Sequence, residues 1–402
     1  MNCPVLSIDV SKSKSYAATF ISHNQPYQRP TLFSHTPEGM STLIQCLTKL
    51  ETETGKRPQV VLEATGNYSK PLINFFQQAD YQVIILNPLE THQQKKKAIR
   101  KVKTDPVDAN RIAQVYYQNK PQPSTCLDSL IYELRNLCRQ YEGFNILYTE
   151  SQLRFRSILD LLFPNYDTVF SHIRGVTALK VISSFPSPQA VLAANRKDLL
   201  VALKPSKHSA SWCEEKADQL ILAAKESLPA NQAQQSNTRV LKNYIEILLT
   251  HQRIMTDIRA QMIEQASLSP AYSLLRSIPG VGELTAATIL SEIGDISKFP
   301  SSKQLVAFAG LDPSVFQSGK FKSTNNRISK RGSTYLRKAL YQATVAGIAK
   351  RSTGILNPVL YEYYSKKLGE GKPSKVAIVA TSSKLLRIIY GIWTSQQPFK
   401  ID

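Results

Sequence analysis

The sequence is short of acid. Against 50 Lys and Arg it carries only 30 Asp and Glu, a formal net charge of +20 over 402 residues. Cysteine is also scarce: Cys3, Cys46, Cys126, Cys138 and Cys213 form no CxxC pair and no Cys/His zinc spacing. That excludes a disulfide framework and a structural zinc module, and the thiols are expected to be reduced, as in a cytosolic protein. No apolar run reaches about 18 residues, so no membrane span is expected. The start, MNCPVLSIDVSK, lacks the basic-then-apolar layout of a secretory leader. No glycine-rich phosphate loop follows a strand. DVSKSK lacks the glycine that an actin-like ATPase would need there.

What is present is positive charge on an otherwise ordinary globular composition, 42% apolar and 20% charged. Such a balance points to a polyanionic partner, nucleic acid ahead of an anionic membrane. The charge is uneven: residues 301–402 hold 17 Lys and Arg against 4 Asp and Glu, +13 of the +20. A second basic run comprises Lys95, Lys96, Lys97, Arg100, Lys101 and Lys103.

The apolar pattern predicts an α/β region first. PVLSIDV and SYAATFI read as antiparallel strands around an SKSK turn. TPEGMSTLIQCLTKLE reads as a helix burying Met40, Leu43, Leu47 and Leu50. QVVLEA, YSKPLINFFQQAD and YQVIILNP then make a β-α-β unit, so parallel pairing is expected. NKPQPS reads as a linker. Residues 128–163 and 237–265 keep an apolar rhythm of alternating fours and threes, the signature of a coiled coil that pairs within the chain or between protomers. His251 falls on that seam as a tolerated polar residue. The intervening 164–236 reads as short helices and carries no recognisable chemistry. YSLLRSIPGVGELTAATILSEIG reads as helix, hairpin, helix, where Gly280 and Gly282 permit a tight turn and close approach to a phosphate, or simply join two helices.

Four acids stand out. Asp9 and Glu63 sit in apolar strand-like runs, where an unpaired carboxylate is costly. Asp105 and Asp108, in KTDPVDANR, fit a helix start: a cap, proline at the first position, an acid at the third. Three apart, they also share a helix face. Four such carboxylates suit two magnesium ions about 4 Å apart, an arrangement used for phosphoryl transfer on nucleic acids.

SIDVSK, LEATGNY and KTDPVDA, in that order, resemble the DEDD-type transposases of bacterial insertion sequences, bridge-RNA-guided serine recombinases related to Piv-type DNA invertases. SIPGVGELTAATILSEIGD, FAGLDPSVFQSGKF and RISKRGSTYLRKALYQA resemble that family's second domain. The resemblance implies a RuvC-like, RNase H-like α/β domain over 1–120 and a helical coiled-coil region over 121–268 with inserted helices at 164–236. A mainly α transposase domain with a helix-hairpin-helix follows over 269–402. It implies that Asp9, Glu63, Asp105 and Asp108 are a catalytic metal tetrad for Mg2+, and that Ser318 is the nucleophile. Ser314, Ser323, Ser329 and Ser333 lie nearby, and spacing alone does not choose among them. Arg327, Lys330 and Arg331 are expected to meet phosphate, in catalysis or in plain backbone binding. Implied partners are donor and target double-stranded DNA, a structured guide (bridge) RNA and further copies of the chain as a dimer or tetramer, in a bacterial cytoplasm at the nucleoid and not at a membrane. Two other readings use the same residues: a metal-dependent nuclease or junction resolvase needing no serine, and a nucleic-acid-binding protein with a decayed site, against which all four intact acids count.

Overall fold

The structure is a computed structural model. It describes residues 3–64, 66–86, 88, 91, 105–119, 121, 128–204, 209–230, 232–313, 317–318, 321–322, 327–352 and 354–400, with backbone alone at 317–318 and 321–322. The basic run from Lys95 to Lys103 lies outside these residues. The chain divides into two units, Met1–Cys126 and Leu127–Asp402.

In the first unit, β1 (Val5–Asp9) pairs antiparallel with β2 (Lys14–Ser22) and parallel with β4 (Gln59–Glu63). β5 (Val83–Leu86) extends the parallel side and β3 (Gln25–Ser34) the antiparallel side, giving the order β3-β2-β1-β4-β5. Strand alternation sorts the apolar residues into two layers. Leu6, Ile8, Val60 and Leu62 face α1 (Pro37–Thr54) and α2 (Ser69–Gln78), which contribute Met40, Leu43, Leu47, Leu72 and Phe76. Val5, Val61, Ile84 and Leu86 face α3 (Asp105–Asn119) through Ile112 and Val115.

α1 buries Met40, Leu43, Leu47 and Leu50, the four residues that its spacing marks. β3 was not anticipated. It is an edge strand, mostly exposed, and carries Pro26 and Pro30. Proline is tolerated only where an N–H is not needed by a neighbour, and it masks an edge from the sequence pattern.

In the second unit, α4 (Ser129–Leu162) and α10 (Gln234–Ser267) form an antiparallel hairpin, as the sustained apolar rhythm predicts. Between them lie α5 (Tyr166–Val169), α6 (Val176–Ser184), α7 (Pro188–Ala193), α8 (Arg196–Leu203) and α9 (Ala210–Glu226). These pack a core around Phe155, Leu159 and Leu162 of α4 and Leu241, Ile245 and Leu248 of α10. A separate core at the other end holds Ile131, Leu134 and Cys138 of α4 and Met262 and Ala266 of α10. It also takes in α11 (Pro270–Arg276), α12 (Glu283–Ile293), α13 (Ser302–Phe308), α14 (Thr334–Gly347), α15 (Pro358–Gly369) and α16 (Ser374–Ser395).

Two arginines fasten α4 to this core. Arg135 donates to the carbonyls of Ser291 (2.8 Å) and Glu292 (3.1 Å) at the C-terminal end of α12, where unpaired carbonyls welcome a cation. Arg139 forks onto both carboxylate oxygens of Glu292 (2.9 and 3.1 Å), whose side chain is only 2% exposed. α16 is, by length and composition, apolar enough to cross a membrane. Its Leu385, Leu386, Ile389, Ile392 and Trp393 are instead core residues of this unit, which accounts for its apolar character. The segment is thus longer and more apolar than the expectation of no such run allowed, with Lys384 and Arg387 the charges that interrupt it.

Candidate active site

The parallel register of β1 and β4 pairs Ile8 with Leu62, so Asp9 and Glu63 are the next residues on adjacent strands. Ile8 and Leu62 point toward α1 and α2. Alternation therefore turns Asp9 and Glu63 to the opposite face, the one covered by α3. Both side chains are half-buried.

α3 runs antiparallel to these strands, and its C-terminal end is pinned at their start. Tyr117 donates to the Cys3 carbonyl (2.8 Å) and Tyr116 to Gln59 Oε1 (2.5 Å). Burial pushes the Tyr116 phenol up to about 12, so it stays a neutral donor. From Tyr117 back to Asp105 the helix rises about 18 Å. From Cys3 to Asp9 the strand advances about 20 Å. The helix start thus reaches the same end of the sheet as Asp9 and Glu63. Asp105 opens α3 and is exposed, while Asp108 is 6% exposed on its inward face, beside Ala109.

Two further side chains, which the sequence did not single out, hold these acids. Thr91, 3% exposed, sets its hydroxyl 2.8 Å from Glu63 Oε2 and 3.0 Å from the Pro88 carbonyl. Arg111 Nη1 donates to Asp108 Oδ1 at 2.8 Å. The i, i+3 spacing of Asp108 and Arg111 was a readable signal. Thr91 lies too far from Glu63 in sequence to have been linked to it.

The four acids therefore lie toward one end of one sheet, but their side chains do not converge. Among the described residues, no three His, Cys, Asp or Glu side chains form a group that could hold a metal ion. The donor set has the hard oxygen chemistry of a magnesium site. The arrangement described here does not fit one.

In the second unit, Ser318 lies in a short hairpin, Gln317–Ser318 paired with Phe321–Lys322. Its side chain, and residues Ser314 and Ser323, lie outside the described residues. The base of that loop is clamped: Ser329 N donates to the Asp312 carbonyl (2.8 Å), Lys330 N to the Gly310 carbonyl (3.1 Å), and Pro313 bridges Ile328. Ser329 Oγ is engaged with Asp312 Oδ1 (2.5 Å), and Ser333 caps α14 through the Leu336 amide (3.1 Å). Both thus have structural work. Arg327, Lys330 and Arg331 are exposed on the clamped stem.

The PGVG turn joins α11 to α12. Gly280 has φ +101°, and a Cβ there would come within 2.7 Å of the Gly347 backbone. Close packing against α14 is reason enough for this glycine. Gly282 is exposed, with open space where a Cβ would stand.

An α/β unit with strand-end acids is thus followed in the chain by a helical unit that carries a clamped basic loop stem. Residues 6–164 match a family model described as a transposase, and residues 272–365 match the transposase IS116/IS110/IS902 family. Together the two matches take in well over half of the chain. The protein belongs to the IS116/IS110/IS902 family of transposases. It is 24% identical to the pilin gene-inverting protein of Moraxella bovis over 99% of this chain and 98% of that protein. It is 32% identical to the transposase for insertion sequence element IS1111A of Coxiella burnetii over 40% of this chain and 43% of that one. A 42 kDa protein of insertion element IS900 from Mycobacterium paratuberculosis is 24% identical over 72% of this chain and 71% of its own length.

Proposed function

We propose that this transposase cuts and rejoins DNA for the movement of an insertion sequence, with Asp9, Glu63, Asp105 and Asp108 as its acidic centre. The observation that carries this reading is the register of β1 and β4, which sets two carboxylates side by side at the strand ends that α3 approaches with two more. The strand order β3-β2-β1-β4-β5, with β2 antiparallel to its neighbours, supports an RNase H-like, RuvC-like domain. In the working state the four acids would hold Mg2+, two ions per site, which screen phosphate charge. That state requires side-chain rearrangement from the one described.

The second half of the proposal concerns bond exchange. Ser318 Oγ attacks a DNA phosphorus and gives up its proton to a base. The leaving nucleoside oxygen departs and a phosphoserine link remains. The reverse attack by another DNA hydroxyl restores the serine, so one phosphodiester is exchanged for another without outside energy. Engagement of Ser329 and Ser333 elsewhere favours a nucleophile within the loop. Arg327, Lys330 and Arg331 would bind phosphate, as would the 95–103 run and the backbone at Gly280 and Gly282. Guide RNA and further copies of the chain complete the proposed assembly.

The test is adduct trapping on a suicide DNA substrate, followed by digestion and mass spectrometry. Ser318→Ala should bind DNA and form no adduct. Normal cleavage by that variant, with no adduct in the unaltered protein, would make this a metal nuclease instead. Likeness to a gene-inverting protein along the full chain favours one variation: inversion of a DNA segment by the same exchange, distinguished by its product.

A further inference from the structure

In the second unit, α4, α12 and α14 enclose a cavity of about 270 Å3. Tyr141 of α4 and Tyr335 of α14 both stand on its wall. Arg139 lies over the Tyr335 ring, 5.1 Å from its centroid, and is itself forked onto Glu292. That chain of contacts holds the ring in place. Asn145, Thr285 and Gln342 add two amides and a hydroxyl, and no other described residue takes up these side-chain groups. Among the described residues that line the cavity, only Glu142 and Lys338 are charged, and they pair with each other. The wall is therefore polar, aromatic and balanced in charge.

That chemistry suits a flat, uncharged ring with donors and acceptors along its edge. A phosphate meets no net charge inside. It is better matched by the exposed cations of the loop stem, Arg327, Lys330 and Arg331. α14 leads from that stem to the cavity. Ser333 caps the helix, and Arg337 ties its first turn back to the Gly332 carbonyl (2.9 Å). Tyr335, Lys338 and Gln342 recur at helical spacing and share one face. This face runs from about 3 Å to about 14 Å beyond the cap along the helix axis. A DNA strand covers that distance in about four nucleotides.

We propose that the cavity takes one nucleobase, unstacked from DNA whose phosphates lie on the stem. The proposal rests on the DNA-rearranging reading given above. The seated base stacks on a tyrosine ring, and its edge meets amides that both donate and accept. The volume is below the roughly 300–1,000 Å3 of sites for drug-sized ligands, so one ring system fills it. Seating a base fixes the register of the strand on the stem, and with it the phosphate that reaches the loop carrying Ser318.

The experiment measures binding of the full-length protein to three DNA duplexes of one sequence by fluorescence anisotropy. One duplex is fully paired, one carries a single bulged adenine, and one carries an abasic residue at the bulge. The bulged adenine should bind about fivefold to a hundredfold more tightly than the paired duplex, the range that stacking of one base gives. The abasic bulge, equally easy to bend, should lose most of that preference. Asn145→Trp and Thr285→Phe, which fill the cavity from two different helices, should bring the ratio of bulged to paired binding close to one, and so should Gln342→Leu in part. Each variant is its own reference, because the ratio is taken within one protein, and thermal melting establishes that it is folded. Equal binding of all three duplexes by the unaltered protein would overturn the proposal. So would an undiminished ratio in folded Asn145→Trp and Thr285→Phe, or a preference confined to the same bulge in an RNA duplex. If none of the DNA duplexes binds, the DNA reading itself has failed, and the proposal falls with it.

Discussion

Asp9 and Glu63 offer the sharpest test of the acidic centre, because the structure predicts that removing one carboxylate makes the fold stronger. Adjacent strands lie about 4.8 Å apart. Two carboxylates extending from register-matched positions on one face sit roughly 5–6 Å apart. At an effective dielectric of about 20, like charges at that separation repel by about 3 kcal/mol. Both side chains are half-buried and each has other partners, the Thr91 hydroxyl on Glu63 among them, so water and these contacts lower this to about 1–2 kcal/mol. Asp9→Asn or Glu63→Gln should therefore stabilise the first unit by about that amount in chelator, while abolishing DNA rearrangement. For a unit ending at Cys126, about 1–2 kcal/mol corresponds to a melting shift of roughly 4–8 °C. The double variant should gain little beyond either single one, because one substitution already ends the repulsion. Magnesium should narrow the difference by stabilising the unaltered protein selectively. The assay has an internal control: the two tryptophans, Trp212 and Trp393, both lie in the second unit. Far-UV circular dichroism should show the shift, and tryptophan fluorescence should not. A variant that melts at the same or a lower temperature in chelator would refute the like-charge argument.

Thr91→Val should lower rearrangement by about tenfold with Thr91→Ser near normal, since the hydroxyl on Glu63 is what is lost, at about 1–2 kcal/mol; equal loss in both variants would point to packing instead. Arg139→Ala should cost about 2–3 kcal/mol in urea unfolding, less than a fully buried pair would, because Arg139 is nearly half exposed although Glu292 is not. Gly280→Ala should cost at least about 2 kcal/mol, from positive φ and the Gly347 contact together, and a variant of normal stability would show that the turn relaxes freely. Nucleic-acid affinity should fall on the order of a thousandfold between 50 and 200 mM salt if about six phosphates are neutralised, and charge reversal at Lys95, Lys96 and Lys97 should flatten that slope.

Much of the fold was legible because one period dominated each segment. The four buried residues of α1 follow from helical spacing, and the two long helices follow from their alternating fours and threes. β3 was not legible, since an edge strand needs neither strict alternation nor every N–H. Asp9 and Glu63 were visible as carboxylates stranded in apolar runs, and the structure shows why those runs are apolar: they are strands buried between α3 on one face and α1 and α2 on the other. What the sequence could not express is side-chain state. Asp108 reads as a ligand candidate whose spacing from Arg111 permits an ion pair, and geometry shows that the pair forms. Gly280 reads equally as a phosphate cradle or a packing glycine, and a backbone 2.7 Å away shows that packing alone would require it.

The hairpin of α4 and α10 has a mechanical consequence. Each helix has 34 residues, about 50 Å of length. Firm cores grip it near its two ends, Phe155–Leu162 and Ile131–Cys138 on α4, and the span between them is only lightly covered. There Phe144 and Tyr148 meet the His251 ring edge-on, and His251 Nδ1 is buried without a hydrogen-bond partner. A beam clamped at its ends and thin at its centre yields at the centre. Within the two helices, amide exchange should be fastest around residues 142–151 and 249–257, and a bend there would swing one core relative to the other without unpacking either.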